Sequence, residues 1–200
     1  MNIIANDCAG GYIYKDCLKV DFMNPFIWSS IDINNFTKLI SLYDNINFKN
    51  IRCELILNDS GICKNGTSVP KIIIDDKIDI LYFHYILNEK YITPTKIDGY
   101  TMCKDIKQYT IDCYLRRVEK MNEDPIFIWD VTRCHWYNKT SIDPVSTFKE
   151  IESKYKIIIY SPTLKDNIDG KIITLNKVNK CFEVNTSGHN IYQKYLKSHG

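Results

Sequence analysis

A chain of 200 residues with 44% hydrophobic and 25% charged side chains can bury one well-formed core, which excludes the disulfide-stapled miniatures and the disordered class. Its 26 basic and 24 acidic residues, net +2, provide no basic surface of the kind that tracks nucleic-acid phosphates, so a dedicated nucleic-acid binder is disfavoured. No apolar run reaches the roughly 18 residues of a membrane span, and Met1 to Asp7 lack the basic and apolar regions of a signal peptide, so a cytoplasmic protein with no transmembrane segment is expected.

In chain order, Ile3 to Asn6 reads as a first strand, followed by Asp7-Cys8-Ala9-Gly10-Gly11 as a tight loop. Asp32 is a candidate N-cap, and Ile33, Phe36, Ile40 and Tyr43 at helical spacing predict an amphipathic helix from 33 to about 47. Arg52 to Leu57, Val69 to Ile74 and Ile78 to Ile86 read as strands, with a turn-rich connection over 58–68 and a hairpin turn at Asp75-Asp76-Lys77. Period two puts Ile78, Ile80, Tyr82, His84 and Ile86 on one face of their strand. Residues 88–99 read as a loop, and a helix is predicted from about Cys103 to Met121. Arg117 projects into its apolar arc, between Cys113 and Met121, while Arg116 joins the polar arc with Asp112 and Glu119. Ile126 to Trp129 forms another strand, Asp143-Pro144 starts a helix, and Ile157 to Tyr160 is an apolar run typical of a strand covered on both faces. The tail reads as a strand over Lys171 to Leu175 and a short helix over Ile191 to Leu196. Strands alternating with helices predict a single domain over 1–200, a three-layer α/β/α sandwich with a mixed β-sheet and a Rossmann-like first strand and loop.

The alphabet is skewed: 32 Ile, 18 Asn and 22 Lys stand against four Arg and two Ala, so each Arg, Gly, Trp and His is more informative than usual. None of the eight cysteines forms a C-x-x-C pair, and reduced, mostly buried thiols are expected, with no metal site. Dinucleotide, P-loop, serine-hydrolase and zinc-protease signatures are absent, as is a strict D-x-D.

Three segments carry a resemblance. Ile4-Ala5-Asn6-Asp7-Cys8-Ala9-Gly10-Gly11-Tyr12-Ile13-Tyr14 with Asn24-Pro25-Phe26, Pro70 through Phe83-His84-Tyr85, and Tyr114-Leu115-Arg116-Arg117-Val118-Glu119-Lys120-Met121-Asn122 occur in order. Over about residues 3 to 161 they resemble a bacterial family of exopolysaccharide biosynthesis proteins catalogued as domain of unknown function nineteen-nineteen. The resemblance implies a role in surface-glycan assembly, as a transferase. Asp7 and Ala9 stand where that family prefers Asn and Trp, Tyr114 where it has Trp, and Lys120 where it has a third Arg. A lysine cannot reproduce a bidentate guanidinium contact.

The candidate site joins residues from all three segments. Gly10-Gly11 would let backbone N–H groups of the loop from Asn6 and Asp7 approach a phosphate or sugar hydroxyl, or would simply form a tight strand-to-helix turn. His84 is the candidate general base on a sugar hydroxyl, the alternative being a hydrogen-bonded core histidine. Arg117, entering an apolar face, needs an anionic partner, either a structural Asp or a ligand diphosphate, with Arg116 beside it. Tyr85 and Asn122 complete the substrate-binding set. Arg133, His135 and Trp136 form a loop where an aromatic ring could stack on a sugar or pack at the edge. The preferred expectation is a glycosyltransferase-like, metal-independent enzyme without cofactor, using a nucleotide-sugar or another diphosphate-containing small molecule and a glycan acceptor. The alternatives are an acetyl-CoA-dependent glycan acyltransferase and a non-catalytic glycan-binding module.

Overall fold

A computed structural model describes residues 1–7, 9–20, 24–27, 29–57, 68–82, 92–97, 100–103, 106–121, 124–131, 143–176 and 184–199. Strand β1 (Asn2–Ala5) leads into α1 (Ala9–Tyr12), which continues as a π-helical segment over Ile13–Leu18. After the short β2 (Ser29–Ser30), α2 (Ile33–Leu42) starts at Asp32, whose carboxylate accepts from the Asn35 N–H at 3.0 Å. A 3-10 turn over Tyr43–Asn45 ends this helix before β3 (Ile51–Leu57), β4 (Ser68–Ile74) and β5 (Ile78–Tyr82). A hairpin of β6 (Ile92–Ile97) and β7 (Tyr100–Cys103) precedes α3 (Ile106–Val118). Then follow β8 (Pro125–Asp130), α4 (Pro144–Lys149), β9 (Lys156–Ser161), β10 (Ile172–Asn176), α5 (Val184–Ile191), a second π-helical segment over Tyr192–Leu196, and α6 (Lys197–His199).

The strands divide by connection. A tight turn joins β4 to β5 in an antiparallel sheet of order β2-β5-β4-β3, whereas β1-β8-β9-β10 pair in parallel, the arrangement that longer crossovers enforce. Parallel and antiparallel pairings thus lie in separate sheets, with β6 and β7 paired as a third, antiparallel one. The parallel sheet is buried on both faces, and side chains alternate between two cores. Ile4, Phe127, Trp129, Ile157 and Ile159 pack against Phe36, Leu39 and Ile40 of α2 and Phe148 of α4. The Phe36 ring lies 5.3 Å from the Trp129 ring and 5.8 Å from that of Phe127. This core also takes in Ile72, Ile74, Ile78, Ile80 and Tyr82 of the antiparallel sheet, and Tyr109, Cys113 and Tyr114 of α3. The other face buries Ile3, Ala5, Ile128, Ile158 and Tyr160 beneath Ala9, Ile13, Tyr14, Ile191 and Tyr195. The result is the expected α/β sandwich.

Three local expectations change. Residues 9–11, predicted as part of a loop, are helical, the first long helix stops at Leu42, and the segment read as loop and helix start contains the β6/β7 hairpin. The turn at Asp75 and Asp76 forms as predicted, with φ of 51° and 53° and a bond from the Lys77 N–H to the Ile74 carbonyl at 2.9 Å. Two successive left-handed residues are what a type I′ turn requires.

One device covers the open edge of β1. Asn24 is fully buried beside that strand, and its amide donates to the Ile3 carbonyl (2.6 Å) and to Asn2 Oδ1 (2.9 Å). Tyr14 Oη accepts from the Ile3 N–H at 2.8 Å. Side chains thereby occupy backbone groups that an edge strand leaves open.

Candidate functional site at the carboxyl end of the parallel sheet

Ligands of open α/β sheets bind beyond the carboxyl ends of their strands. There, Asn6 extends the β1–β8 ladder by one step. Its N–H donates to the Ile128 carbonyl (3.1 Å), its Oδ1 accepts from the Asp130 N–H (2.8 Å), and its Nδ2 approaches the Asp130 carbonyl (3.4 Å). The Asn6 carbonyl accepts from the Ile31 N–H at 3.0 Å. With 4% exposure, Asn6 is a latch holding two strand ends and the 24–31 segment together.

Asp7 comes next, 9% exposed, and its Oδ1 accepts from the Ala9 N–H at 2.8 Å. A carboxylate of the chain therefore stands at the start of α1, where a bound anion would otherwise be favoured. The helix can press onto β1 because Gly10 lacks a side chain: a Cβ there would lie 3.3 Å from that of Ala5. Gly11 is buried beside it. Gly10 thus provides close helix–strand packing, and with the polar groups of Asn6 taken up by its latch bonds, the side chain of Asp7 is an acceptor at this end that suits hydroxyl donors better than phosphate.

One strand further in, Asp130 ends β8 with no exposure and pairs in register with Tyr160. Burial first, and then the Asp130 charge, push the Tyr160 hydroxyl above its ordinary pKa, against a hydrogen bond from Asn190 Nδ2 at 3.0 Å. Sequence reading did not single out Asp130 or Asn190. Asp130 had a local signal, an acid directly after the apolar run Ile126 to Trp129, whereas Asn190 arrives from α5 with none.

Arg117 follows Cys113 by four residues and Tyr114 by three, so it continues the buried face of α3. It is half-buried, and its guanidinium donates to the Ile27 carbonyl at 3.4 Å. Arg116 is exposed, and its Nε donates to the Asp112 carbonyl at 3.2 Å. The 24–31 segment is the junction. It meets α3 through Ile27, the end of β1 through Ile31, and the end of β5 through the Ser29–Tyr82 pairing and a Tyr82 hydroxyl bond to the Pro25 carbonyl at 2.6 Å. Described parts of the three sequence segments therefore converge on it. His84, Tyr85, Asn122 and residues 133–136 lie outside the described residues. Among the described residues, no group of three His, Cys, Asp or Glu side chains could hold a metal ion, and no helix is long and apolar enough to cross a membrane.

Residues 1–92 match the family model described as Domain of unknown function (DUF1919). The match covers just under half of the chain, from β1 to the first residue of β6, and includes Asn6, Asp7, Gly10, Gly11, His84 and Tyr85. It is shorter than the 3 to 161 span read from the sequence, and α3 with Arg116 and Arg117 lies beyond it. No curated protein matches the chain.

Proposed function

We propose that this protein is a cytoplasmic transferase of surface-glycan assembly that takes its sugar from a nucleotide-activated donor. The observation that carries the reading is the bond from Arg117 to Ile27, which ties a guanidinium to the segment closing over the Asn6–Asp7 end of the parallel sheet. Arg117, with Arg116 beside it, neutralises the donor diphosphate, since a guanidinium fork matches phosphate geometry. Asp7 accepts hydrogen bonds from sugar hydroxyls, Asn6 holds it in place, and Gly10 and Gly11 keep α1 tight against β1. His84 removes the proton from the acceptor hydroxyl, whose oxygen bonds to the anomeric carbon as the nucleoside diphosphate leaves with the electrons of the broken bond. Tyr85 and Asn122 contact the substrate. The near-balanced net charge of +2 supports local recognition by one or two guanidinium groups, without a basic surface.

Melting temperatures measured with UDP-, GDP- and CMP-sugars, acetyl-CoA and free oligosaccharides test this, because a ligand that binds only the native state raises the transition. Stabilisation by one nucleotide-sugar class is expected. Stabilisation by acetyl-CoA alone would replace glycosyl with acyl transfer, and stabilisation by oligosaccharide alone would make the protein a binding module.

A further inference from the structure

Cys17 and His189 are 172 residues apart in sequence, yet Cys17 Sγ lies 3.9 Å from His189 Nδ1. Cys17 stands on the π-helical segment after α1, and His189 on α5. Their spacing is set by packing between two helices. Gly188, beside His189, sits so close to α1 that a Cβ would lie 2.9 Å from the Ala9 carbonyl oxygen and 3.1 Å from the Tyr12 Cβ. Cys17 is half-buried and His189 exposed, so solvent reaches the pair. Burial first, and then the charge of Asp16, push the Cys17 thiol above its ordinary pKa, so the thiolate forms when a cation takes the place of the proton.

A thiol and an imidazole form the donor set that thiophilic d10 cations select. Bonds of about 2.3 Å to sulfur and 2.0–2.1 Å to nitrogen, at a tetrahedral angle, place the two donors about 3.6 Å apart. The observed spacing needs only a few tenths of an ångström of side-chain adjustment. We propose that Cys17 Sγ and His189 Nδ1 are two protein ligands of a zinc-type d10 cation that pins α5 to the helix following β1. Binding releases the thiol proton to solvent, and water fills the other coordination positions. The site is independent of the proposed nucleotide-sugar site.

The test titrates the reduced, metal-free protein with Cd2+ and follows the ultraviolet thiolate-to-cadmium band. The expected result is one equivalent bound, with a rise in melting temperature that Cys17→Ser abolishes. His189→Ala should weaken binding about tenfold or more, in the range that changes at metal ligand shells produce. Equal band and affinity in Cys17→Ser would assign the ion to other thiols and overturn the proposal. Unchanged affinity in His189→Ala would do the same, by leaving a thiol acting alone. Far-ultraviolet circular dichroism of both variants separates loss of binding from loss of fold. Nucleotide-sugar stabilisation should persist in both, so failure here is distinguishable from failure of the transferase reading.

Discussion

Replacing Asn6 by Ala removes the latch between β1 and β8 without touching the apolar core. The bond from the Asp130 N–H to Asn6 Oδ1, at 2.8 Å, is the strong one, and the 3.4 Å contact to the Asp130 carbonyl is weak. Leaving that N–H buried and without its acceptor costs about 1–3 kcal/mol, so a loss of about 2 kcal/mol is expected. For a chain of this size each kcal/mol shifts the melting temperature by roughly 2–4 °C, giving a fall of about 4–8 °C. Calorimetry and urea unfolding should agree on it. Asn6→Asp sharpens the test: it keeps an acceptor for the Asp130 N–H but turns a carboxylate oxygen toward the Asp130 carbonyl and adds charge beside Asp7. That variant should be less stable than wild type at pH 7 and recover part of the difference as the pH falls through the range of a buried carboxylate. If Asn6→Ala melts within about 1 °C of wild type, well short of the shift one lost buried bond should produce, the latch carries no weight and the site must be redrawn.

Gly188→Ala should lower the melting temperature by about 2–6 °C, because the new Cβ meets the Ala9 backbone and overpacking outweighs the gain of about 1 kcal/mol in helix propensity; a rise would show that α5 shifts freely. Asp76→Gly should raise the urea midpoint, since relieving a left-handed residue is worth about 1 kcal/mol and the Arg52 ion pair it loses is exposed and weak. Bonds from Tyr155, Lys77 and Ser146 hold Asp44, Asp75 and Asp143 respectively below their ordinary pKa. The unfolded chain therefore binds more protons around pH 4, and stability should be full above that value and decline as the pH falls through the folded-state values. At the alkaline end, burial pushes the Cys53 thiol from 9.0 up to about 11, so its contribution is full below pH 9 and lost between there and pH 11. Urea midpoints across the pH range check both limbs, and a midpoint that rises on acidification would contradict the acid limb.

The parts of this fold legible in the sequence are those where a local rule and the tertiary contact agree. Asp32 caps α2, the alternation of Ile78, Ile80 and Tyr82 faces the core, and the run Ile157 to Tyr160 is buried on both sides. Helical spacing also gave the face that Arg117 occupies. Other features needed contacts that no local pattern carries. Gly10 and Gly11 are poor helix formers, and the 3.3 Å approach to Ala5 that a Cβ would make explains the glycine at position 10. Pro94 obscured the β6 strand, although Asp98-Gly99 between two β-branched runs is a hairpin signal. Asn190 and His189 reach their partners Tyr160 and Cys17 only because α5 returns across the first helix.

The most direct test of the central claim is the dissociation constant of the best-stabilising nucleotide-sugar, measured calorimetrically against wild type, Arg117→Lys and Arg117→Ala. Loss of a charge-assisted contact to phosphate is worth roughly 1.5–3 kcal/mol, so Arg117→Ala should bind about ten- to a hundredfold more weakly. Arg117→Lys should fall between it and wild type, keeping the charge without the fork. Equal affinity in all three proteins would contradict the assignment of Arg117 to the diphosphate and, with it, the placement of the donor at the carboxyl end of the parallel sheet.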